Sequence, residues 1–511
     1  MAGMNQSWSW RHDLLVLTPI ALAVMALHLG VVGQYGIFRD EFYYLACGRH
    51  LAWGYVDHPP VVAVMARAAE WLGSSILAIR ILPILLSGTL VFLVAAVARR
   101  LGGGRFAQGL AAALASLSPH FLFVFHILSM NSAEVVLWTL GAWLVLVAIQ
   151  TERAWAWLAF GVTAGIGLLT KHSMAVFGLG IFAGLLATPA RRTLRTPWPW
   201  VGGLIAAATF APHLWWQYVH GWPTAEFVRN AQEFKITEQS VGSFLAQLAL
   251  MMNPVTLPLW IAGLGWLVAG RASAKGRVLA VCAIVIVLVF IVQRSKPYYA
   301  TAVMPVLLAA GAVALERATE RRRAWRAAAA ALLVLGAMPI VPMGLPLLPI
   351  DAFTRYTTAL GLTPANQERQ ELGVLPQHFA DMHGWDELAR EVSRVYQQLP
   401  ADERASARVW AQNYGEAGAL EYFALRGRYP LPRVISPHNN YWYWGPGDEG
   451  GTLIVIGGRR EDMEAAFDRV EDAGRTACRY CMPYENDLVI RVGRGWKMRL
   501  RDVWLRQRRF I

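Results

Sequence analysis

Residues 76–100 read ILAIRILPILLSGTLVFLVAAVARR, an apolar run that carries one charge before its two closing arginines. A helix rises 1.5 Å per residue and the hydrocarbon core of a bilayer is about 30 Å thick, so about 20 apolar residues are enough to cross it. Basic residues accumulate at the cytoplasmic ends of such helices, and the two arginines suit that end. We therefore predict a membrane-spanning helix here.

Similar apolar runs recur along the first two thirds of the chain. We place eleven spans near 14–34, 76–98, 106–127, 132–150, 154–170, 173–189, 199–217, 244–269, 278–293, 298–316 and 325–347. The composition agrees, because 56% of the 511 residues are apolar and 16% are charged, whereas soluble domains have about 25% charged residues. A purely cytosolic enzyme, a disordered regulator and a disulfide scaffold are excluded. We predict an α-helical polytopic membrane protein.

The basic residues show which ends of the spans face the cytoplasm. They outnumber acidic residues by 47 to 34, a net charge of +13. They cluster in the gaps between apolar runs, at Arg99, Arg100, Arg105, Arg191, Arg192, Arg195, Arg271, Lys275, Arg277, Arg317, Arg321, Arg322, Arg323 and Arg326. This is the positive-inside pattern, so the charge needs no nucleic-acid partner. We expect a multi-pass protein of the bacterial inner membrane, with its first span uncleaved and its C-terminal part outside.

The composition changes near residue 350, where charged and polar residues return. We predict a transmembrane domain over 1–349 and an extracytoplasmic α/β domain over 350–511. Within the second domain, 384–399 has a helical period and 452–456 is typical of a strand.

Two cysteines of this C-terminal domain, Cys478 and Cys481, form a C-x-x-C motif. Outside the membrane, a local disulfide is the simplest expectation for such a pair. Zinc would need two further ligands, and the pattern around a thioredoxin-like redox motif is missing.

Two adjacent carboxylates, Asp40 and Glu41, follow the first span directly. Charges at a membrane surface are costly unless they face water or a polar cavity, so the pair is a candidate functional site. Alternatively, both residues begin a helix, whose N-terminal dipole favours negative charge. Apolar residues continue at helical spacing beyond the pair, interrupted by Pro59 and Pro60, and we predict interfacial helices within 39–73.

Four motifs follow one another along the membrane half of the chain. They are Asp40-Glu41, His58-Pro59-Pro60, Leu169-Thr170-Lys171 at the end of one span and Lys296-Pro297-Tyr298-Tyr299 at the start of another. In this order they resemble the GT-C glycosyltransferases of the protein O-mannosyltransferase and aminoarabinose (lipid A) transferase type. The resemblance implies the GT-C fold and the transfer of a sugar from a polyprenyl-phosphate donor to an envelope lipid or glycan outside the inner membrane.

The resemblance also assigns roles to residues. Asp40 is the general base that takes the proton of the acceptor hydroxyl, and Glu41 orients the acceptor or the base. A single displacement with inversion is expected, because a double displacement needs a separate nucleophile. Cations would neutralise the departing lipid phosphate, and the candidates are Lys296, Arg294, Lys171 and Arg39. Arg39 serves either the phosphate or Asp40, and the other three have the alternative of snorkelling to the headgroups.

Other side chains are candidates for binding the sugar or the acceptor, namely His58, Glu134, Tyr298, Tyr299, Trp442 and Trp444. The two tryptophans lie among amides in the run 436–446, a combination that suits sugar binding. Their alternative is a rigid aromatic turn that docks the C-terminal part onto the membrane domain.

A divalent metal ion is a further hypothesis about ligands, and the sequence assigns no other cofactor. Near the outward ends of spans lie His58, His126, His172, His213 and His220, with Glu134 close by in sequence to His126. Such a group can bind a divalent ion, but its spacing is not diagnostic.

Other functions stay open at this point. A protein O-mannosyltransferase is one, and a polymer ligase with a diphosphate-linked donor is another. A transporter or flippase of a lipid-linked or small solute belongs to a different class. Charges that gather at the outer ends of the spans favour chemistry at the membrane surface over transport.

Overall fold

The computed structural model describes residues 10–237, 239–269, 276–362, 368–447 and 451–511. Its first helices are α1 (Trp10–Gly30), α2 (Arg39–Arg49), α3 (Val61–Trp71), α4 (Ile76–Arg100), α5 (Arg105–Ser116), α6 (Pro119–His126), α7 (Met130–Thr151), α8 (Ala154–Thr170), α9 (Met174–Ala187) and α10 (Trp198–Val219). They are followed by α11 (Pro223–Asn230), α12 (Val241–Met251), α13 (Leu257–Val268), α14 (Arg277–Val292), α15 (Met304–Ala318), α16 (Arg323–Ala337) and α17 (Ile350–Ala359).

The remaining elements form the mixed C-terminal part. They are α18 (Gln377–Ala380), α19 (Trp385–Gln398), α20 (Ala401–Ser406), β1 (Arg408–Trp410), α21 (Tyr414–Leu425), β2 (Arg433–Ile435), α22 (Asn440–Trp444), β3 (Leu453–Ile456), α23 (Arg460–Ala466), β4 (Phe467–Arg475), β5 (Val489–Trp496) and α24 (Leu500–Arg506). The predicted helix over 384–399 and the predicted strand over 452–456 are confirmed as α19 and β3. The predicted interfacial helices within 39–73 coincide with α2 and α3.

Every predicted span coincides with a helix or a helix pair. Among the described residues, five helices are long and apolar enough to cross a membrane, or up to eight spans if each bent pair counts as one. The chain is a multi-pass membrane protein. Two more of the eleven predicted spans, near 154–170 and 278–293, are apolar helices that are shorter than this criterion.

Two predicted spans are broken rather than straight. The segment 106–127 consists of α5 and α6 at 65° to each other, and 244–269 bends by 101° between α12 and the segment Pro254–Val268. Both breaks precede a proline at the start of the next helix, Pro119 and Pro254. Proline has no N–H and disfavours helical geometry in the residue before it, so a helix cannot run straight through these positions.

The chain divides into two compact units. The helical unit comprises Met1–Val32, Arg80–Pro212 and Glu238–Leu347, and the mixed unit comprises Gly33–Ile79, His213–Thr237 and Leu348–Ile511. The last segment of the mixed unit begins two residues before the boundary predicted at 350. This unit also takes in the two loop segments that the sequence assigned to the membrane domain.

Glycines bring helices of the helical unit into close contact. A Cβ on Gly184 of α9 would overlap the carbonyl oxygen of Val278 on α14, and a Cβ on Gly311 of α15 would overlap that of Leu259 on α13. In lipid no hydrophobic force drives helices together, so such close backbone packing is a main source of helix association.

The mixed unit contains a five-stranded sheet in the order β2-β1-β3-β5-β4. Strands β1, β2 and β3 are parallel, with Val409 opposite both Val434 and Ile454. Strands β5 and β4 extend the sheet in antiparallel fashion, and Val492 lies opposite Ile454. Helices α19 and α21 pack against each other beside this sheet. The predicted C-terminal α/β domain is confirmed.

The predicted disulfide between Cys478 and Cys481 is wrong, because both residues are free thiols. The N–H of Cys481 donates to Cys478 Sγ at 3.1 Å, and the thiol of Cys481 donates to the carbonyl oxygen of Cys478 at 3.4 Å. Each sulfur atom in this tight turn therefore has a hydrogen-bond partner and forms no covalent bond to the other. Hydrogen bonding by Cys481 lowers the pKa of the Cys478 thiol to about 7.

Helix α21 lies against α2 with no side chain between the two backbones. A Cβ on Gly418 would be 2.9 Å from both the carbonyl carbon and the Cβ of Phe42, and a Cβ on Gly415 would overlap Cγ of Arg39. Because these neighbours are backbone and buried side-chain atoms, they cannot give way easily.

The variant Gly418→Ala tests this contact. We expect it to destabilise the protein by about 1–3 kcal/mol, because overpacking outweighs the helix propensity that alanine adds. Thermal unfolding in detergent measures the effect as a fall of a few degrees. Gly203→Ala in α10 is the matched control, since a Cβ there meets no atom within 4 Å. An equal response of the two variants would contradict the close packing of α2 and α21.

Candidate active site

The N-terminus of α2 separates the roles of the two adjacent carboxylates. Glu41 is fully buried, and its Oε2 accepts the backbone N–H of Phe38, the residue before the helix, at 2.8 Å. This is the helix-starting role that the sequence left open, and it satisfies an N–H that would otherwise have no partner.

Asp40 has the more open position of the two. Its side chain is 28% exposed. Oδ1 accepts the Tyr414 hydroxyl at 3.0 Å and Nε of Arg39 at 3.3 Å. Among the residues that the structure describes, none donates a hydrogen bond to Oδ2, so this oxygen keeps its capacity to accept a proton. A carboxylate held at one oxygen and open at the other has the geometry of a general base.

The guanidinium of Arg39 is held on several sides. It donates to the Tyr484 hydroxyl at 2.7 Å, lies 3.5 Å from Oδ1 of Asp381, and lies over the ring of Tyr414 at 5.5 Å. The backbone N–H of Arg39 donates to the carbonyl oxygen of Asp381 at 2.9 Å. Of the two roles expected for Arg39, these contacts favour that of a partner to Asp40.

Burial shifts the titration of the groups around this arginine. It raises the pKa of Asp381 to about 6, although the charge of Arg39 opposes the shift. Burial also raises the pKa of the Tyr414 phenol well above its usual range. At neutral pH, Asp381 is therefore ionised beside Arg39, and Tyr414 keeps the proton that it donates to Asp40.

The His58-Pro59-Pro60 element is buried and internally bonded. His58 Nδ1 lies 2.8 Å from the carbonyl oxygen of Pro59, which can only accept, so Nδ1 carries the proton. Its Nε2 is then the acceptor facing the Cys47 thiol at 3.7 Å. His58 thus packs the turn under α2, where its ring stacks on Tyr55 at 4.6 Å, and the structure gives it no open nitrogen toward a substrate.

In the helical unit, Lys171 and Glu134 form a buried ion pair. The ammonium of Lys171 donates to Glu134 Oε2 and Asn131 Oδ1, both at 2.8 Å, and lies over the rings of Tyr298 and Tyr299 at 4.9 and 4.4 Å. Glu134, Tyr298 and Tyr299, three of the residues expected to bind the sugar or the acceptor, thereby surround Lys171, an expected phosphate ligand. Glu134 already compensates its charge, so phosphate binding by Lys171 would have to compete with this pair.

Lys296 and Arg294 lie at the turn between α14 and α15. Lys296 is half-buried and precedes the 3-10 segment Pro297–Val303, whereas Arg294 is exposed in a left-handed backbone conformation with φ 51°. The two cations expected at this position are thus placed together in sequence at the end of a membrane helix, where an anionic headgroup would meet them.

The histidines do not assemble into a metal site. Among the described residues, no group of three or more His, Cys, Asp or Glu side chains is arranged to hold an ion. His213 and His220 each direct Nδ1 to a backbone carbonyl oxygen, of Trp53 and Trp216, at 2.9 and 2.8 Å. The available donor set therefore does not fit the divalent ion that the sequence suggested.

The tryptophans expected to bind sugar have partners within the mixed unit. The indole N–H of Trp442 donates to the carbonyl oxygen of Trp504 at 3.2 Å, and that of Trp504 donates back to Trp442 at 3.1 Å. Trp444 stacks on His50 at 4.4 Å between ring centroids. These contacts fasten the run 436–446 to α24 and to the end of α2 within the mixed unit.

Sequence reasoning missed three residues that surround Asp40 and Arg39, namely Tyr414, Asp381 and Tyr484. Each is more than 300 positions away along the chain from the helix it contacts. The residues around Tyr414, Asp381 and Tyr484 in the sequence give no indication of these partners.

Solved structures share this architecture. ArnT from Cupriavidus metallidurans bound to undecaprenyl phosphate matches with a TM-score of 0.58 at 15% identity, covering 94% of this chain and 98% of that one. The same ArnT in the apo state gives a TM-score of 0.58 at 16% identity, covering 94% and 97%. The chain has the GT-C fold. The fold expected from the four motifs is thereby confirmed.

A sequence family covers part of this GT-C chain. The family model for dolichyl-phosphate-mannose-protein mannosyltransferase matches residues 57–216. No curated protein matches the chain. The matched segment begins one residue before His58-Pro59-Pro60 and includes the Lys171–Glu134 pair.

The ion pair of the helical unit can be tested by charge removal. Glu134→Gln leaves a buried ammonium without its carboxylate, and we expect a loss of about 3 kcal/mol. The double variant Glu134→Gln/Lys171→Met removes both charges and should unfold at a higher temperature than the single variant. Thermal unfolding in detergent compares the two. If the second substitution lowers stability further, Lys171 is not held chiefly by Glu134.

Proposed function

We propose that this chain is an inverting glycosyltransferase. It moves a sugar from a polyprenyl-phosphate donor to a lipid or glycan of the cell envelope, on the outer side of the inner membrane. The observation that carries the proposal is the environment of Asp40. Its side chain is partly exposed, and only Oδ1 accepts hydrogen bonds from the described residues. The residue lies at the start of the helix that follows the first membrane segment of a GT-C chain.

Asp40 performs the proton transfer in this proposal. Its Oδ2 takes the proton of an acceptor hydroxyl while that oxygen attacks the anomeric carbon of the donor sugar. The bond between the anomeric carbon and the phosphate oxygen breaks, and the lipid phosphate leaves with the electron pair. The bonds from Tyr414 and Arg39 to Oδ1 fix the plane of the carboxylate during this step.

We infer inversion from the position of the carboxylate next to the base. A retaining reaction needs a second carboxylate as the nucleophile, about 5–5.5 Å from the first. The adjacent carboxylate, Glu41, is fully buried and accepts the N–H of Phe38. A nearby carboxylate that is committed to the backbone cannot attack a sugar, so one displacement with inversion is the mechanism we infer.

The donor is a lipid monophosphate in this proposal. Its support is chemical, because Lys296 and Arg294 at a membrane-helix end suit the charge of a departing phosphate. It is also comparative, because the matching ArnT structure contains undecaprenyl phosphate. The basic clusters between the spans mark their cytoplasmic ends, and this supports placing the reaction at the opposite, outer side of the membrane.

The base is tested by Asp40→Asn, which keeps the size of the side chain and removes the proton acceptor. Purified protein in lipid receives a panel of radiolabelled polyprenyl-phosphate sugars together with an envelope extract. We expect transfer to fall by about 10²–10⁴-fold, with donor binding retained. Asp402→Asn is the matched control, since Asp402 is also the second residue of its helix, α20, and is exposed.

The outcomes of this assay separate the functions that compete. Label in a lipid or glycan supports the proposal, and label in protein makes the chain a protein O-glycosyltransferase. Transfer that survives Asp40→Asn would show that another group is the base. An absence of transfer from every carrier, together with solute uptake into vesicles, would make the chain a transporter.

The phosphate ligands are tested separately. Lys296→Gln and Arg294→Gln should each lower kcat/KM for the lipid-phosphate donor by about 10-fold, because each removes a charge-assisted bond to the phosphate. Arg322→Gln, in the basic cluster between α15 and α16, is the control and should leave kcat/KM within about 2-fold. Equal effects of the three variants would contradict a phosphate role for the first two.

A further inference from the structure

The hydroxyl of Tyr414 reaches Asp40 from the C-terminal part of the sequence, 374 positions away. Tyr414 is the first residue of α21, and Asp40 is the second residue of α2. Within the described part of the chain, two side chains donate to the Asp40 carboxylate, both to Oδ1, and one of them is this tyrosine. The other donor, Arg39, is the neighbour of Asp40 in the chain, so Tyr414 is the partner that ties the carboxylate to the rest of the fold.

The ring of Tyr414 is held by stacking on two neighbouring rings. It stacks on Tyr43 at 4.6 Å and on His438 at 4.8 Å between ring centroids, at interplanar angles of 27° and 25°. The backbone N–H of Tyr414 donates to His438 Nδ1 at 3.2 Å, so Nε2 carries the proton of His438 and donates to the carbonyl oxygen of Ile511 at 2.8 Å. These contacts therefore fix the orientation of the phenol.

The start of α21 is also fixed. The side chain of Asn413 caps the helix by accepting the N–H groups of Gly415 and Glu416 at 2.8 and 3.0 Å. Gly415 then lets the first turn of α21 approach Arg39, where a Cβ would collide. The cap and the glycine together set the distance from the tyrosine hydroxyl to Asp40.

We propose that Tyr414 is a positioning residue of the reaction, which holds the Asp40 carboxylate so that Oδ2 faces the acceptor hydroxyl. This inference rests on the proposed function and extends it to the C-terminal domain. The domain that follows the membrane spans is then part of the catalytic machinery, because it supplies the bond that orients the base.

The experiment compares Tyr414→Phe with Tyr422→Phe in the full-length protein. Tyr422 lies on the same helix, and its hydroxyl also makes one long-range bond, to the carbonyl oxygen of Ser74 at 3.0 Å. We expect Tyr414→Phe to lower kcat by about 10- to 100-fold, with KM for donor and acceptor within about 3-fold. Tyr422→Phe should leave kcat within about 2-fold. The two variants should unfold within about 2 °C of each other.

Two results of the kinetic comparison would overturn the inference. One is an unchanged kcat in Tyr414→Phe. The other is a loss of kcat that Tyr422→Phe shares, since that loss would reflect a general weakening of α21 rather than the orientation of the base.

A second measurement needs no transfer activity. A water-soluble carbodiimide couples to accessible carboxyl groups, and mass spectrometry of the digested protein gives the coupling rate at Asp40. We expect Tyr414→Phe to increase this rate several-fold, because the carboxylate loses its anchor, and Tyr422→Phe to leave it unchanged. If the wild type transfers no sugar, the proposed function fails, and this rate alone then decides whether Tyr414 holds Asp40: an unchanged rate overturns the inference.

Discussion

The contact between α2 and α21 requires that two backbones approach without a side chain between them. Gly415 and Gly418 make the approach feasible, because a Cβ at either position would collide with Arg39 or Phe42. This contact brings the hydroxyl of Tyr414 to Asp40 and sets the guanidinium of Arg39 beside Tyr484. The surroundings of the carboxylate thus depend on packing between segments that lie hundreds of residues apart, and small residues are the condition for it.

Compensation of buried charge is the second constraint, and each unit meets it in its own way. In the mixed unit, Arg39 lies between Asp40 and Asp381, and the burial of Asp381 raises its pKa without neutralising it at pH 7. In the helical unit, Glu134 compensates Lys171. A lone buried charge in either place would cost several kcal/mol or more. Folding therefore requires both ion pairs, whatever part they have in the reaction.

The sequence predicted those features that depend on local pattern. Apolar runs located each membrane helix, and period and turn residues located α19 and β3, because hydrophobic period is a property of neighbouring residues. The breaks before Pro119 and Pro254 were within reach of the same reasoning. The partners of Asp40 were not, because nothing around Tyr414, Asp381 or Tyr484 records that each lies near α2. The free thiols of Cys478 and Cys481 escaped prediction for a similar reason, since compartment and spacing gave no information on the bonds that the turn supplies to each sulfur.

The adjacent carboxylates show why one sequence pattern can support two interpretations at once. By sequence, a helix capped by acidic residues and a site built on an acidic pair are alternatives for Asp40 and Glu41. Successive residues of a helix point about 100° apart, so adjacent side chains in the first turn cannot share a direction. Glu41 turns back to the N–H of Phe38 and stabilises the start of α2, and Asp40 turns toward Tyr414. Glu41 fixes the helix end from which Asp40 projects, so the structural role of Glu41 and the chemical role of Asp40 require each other.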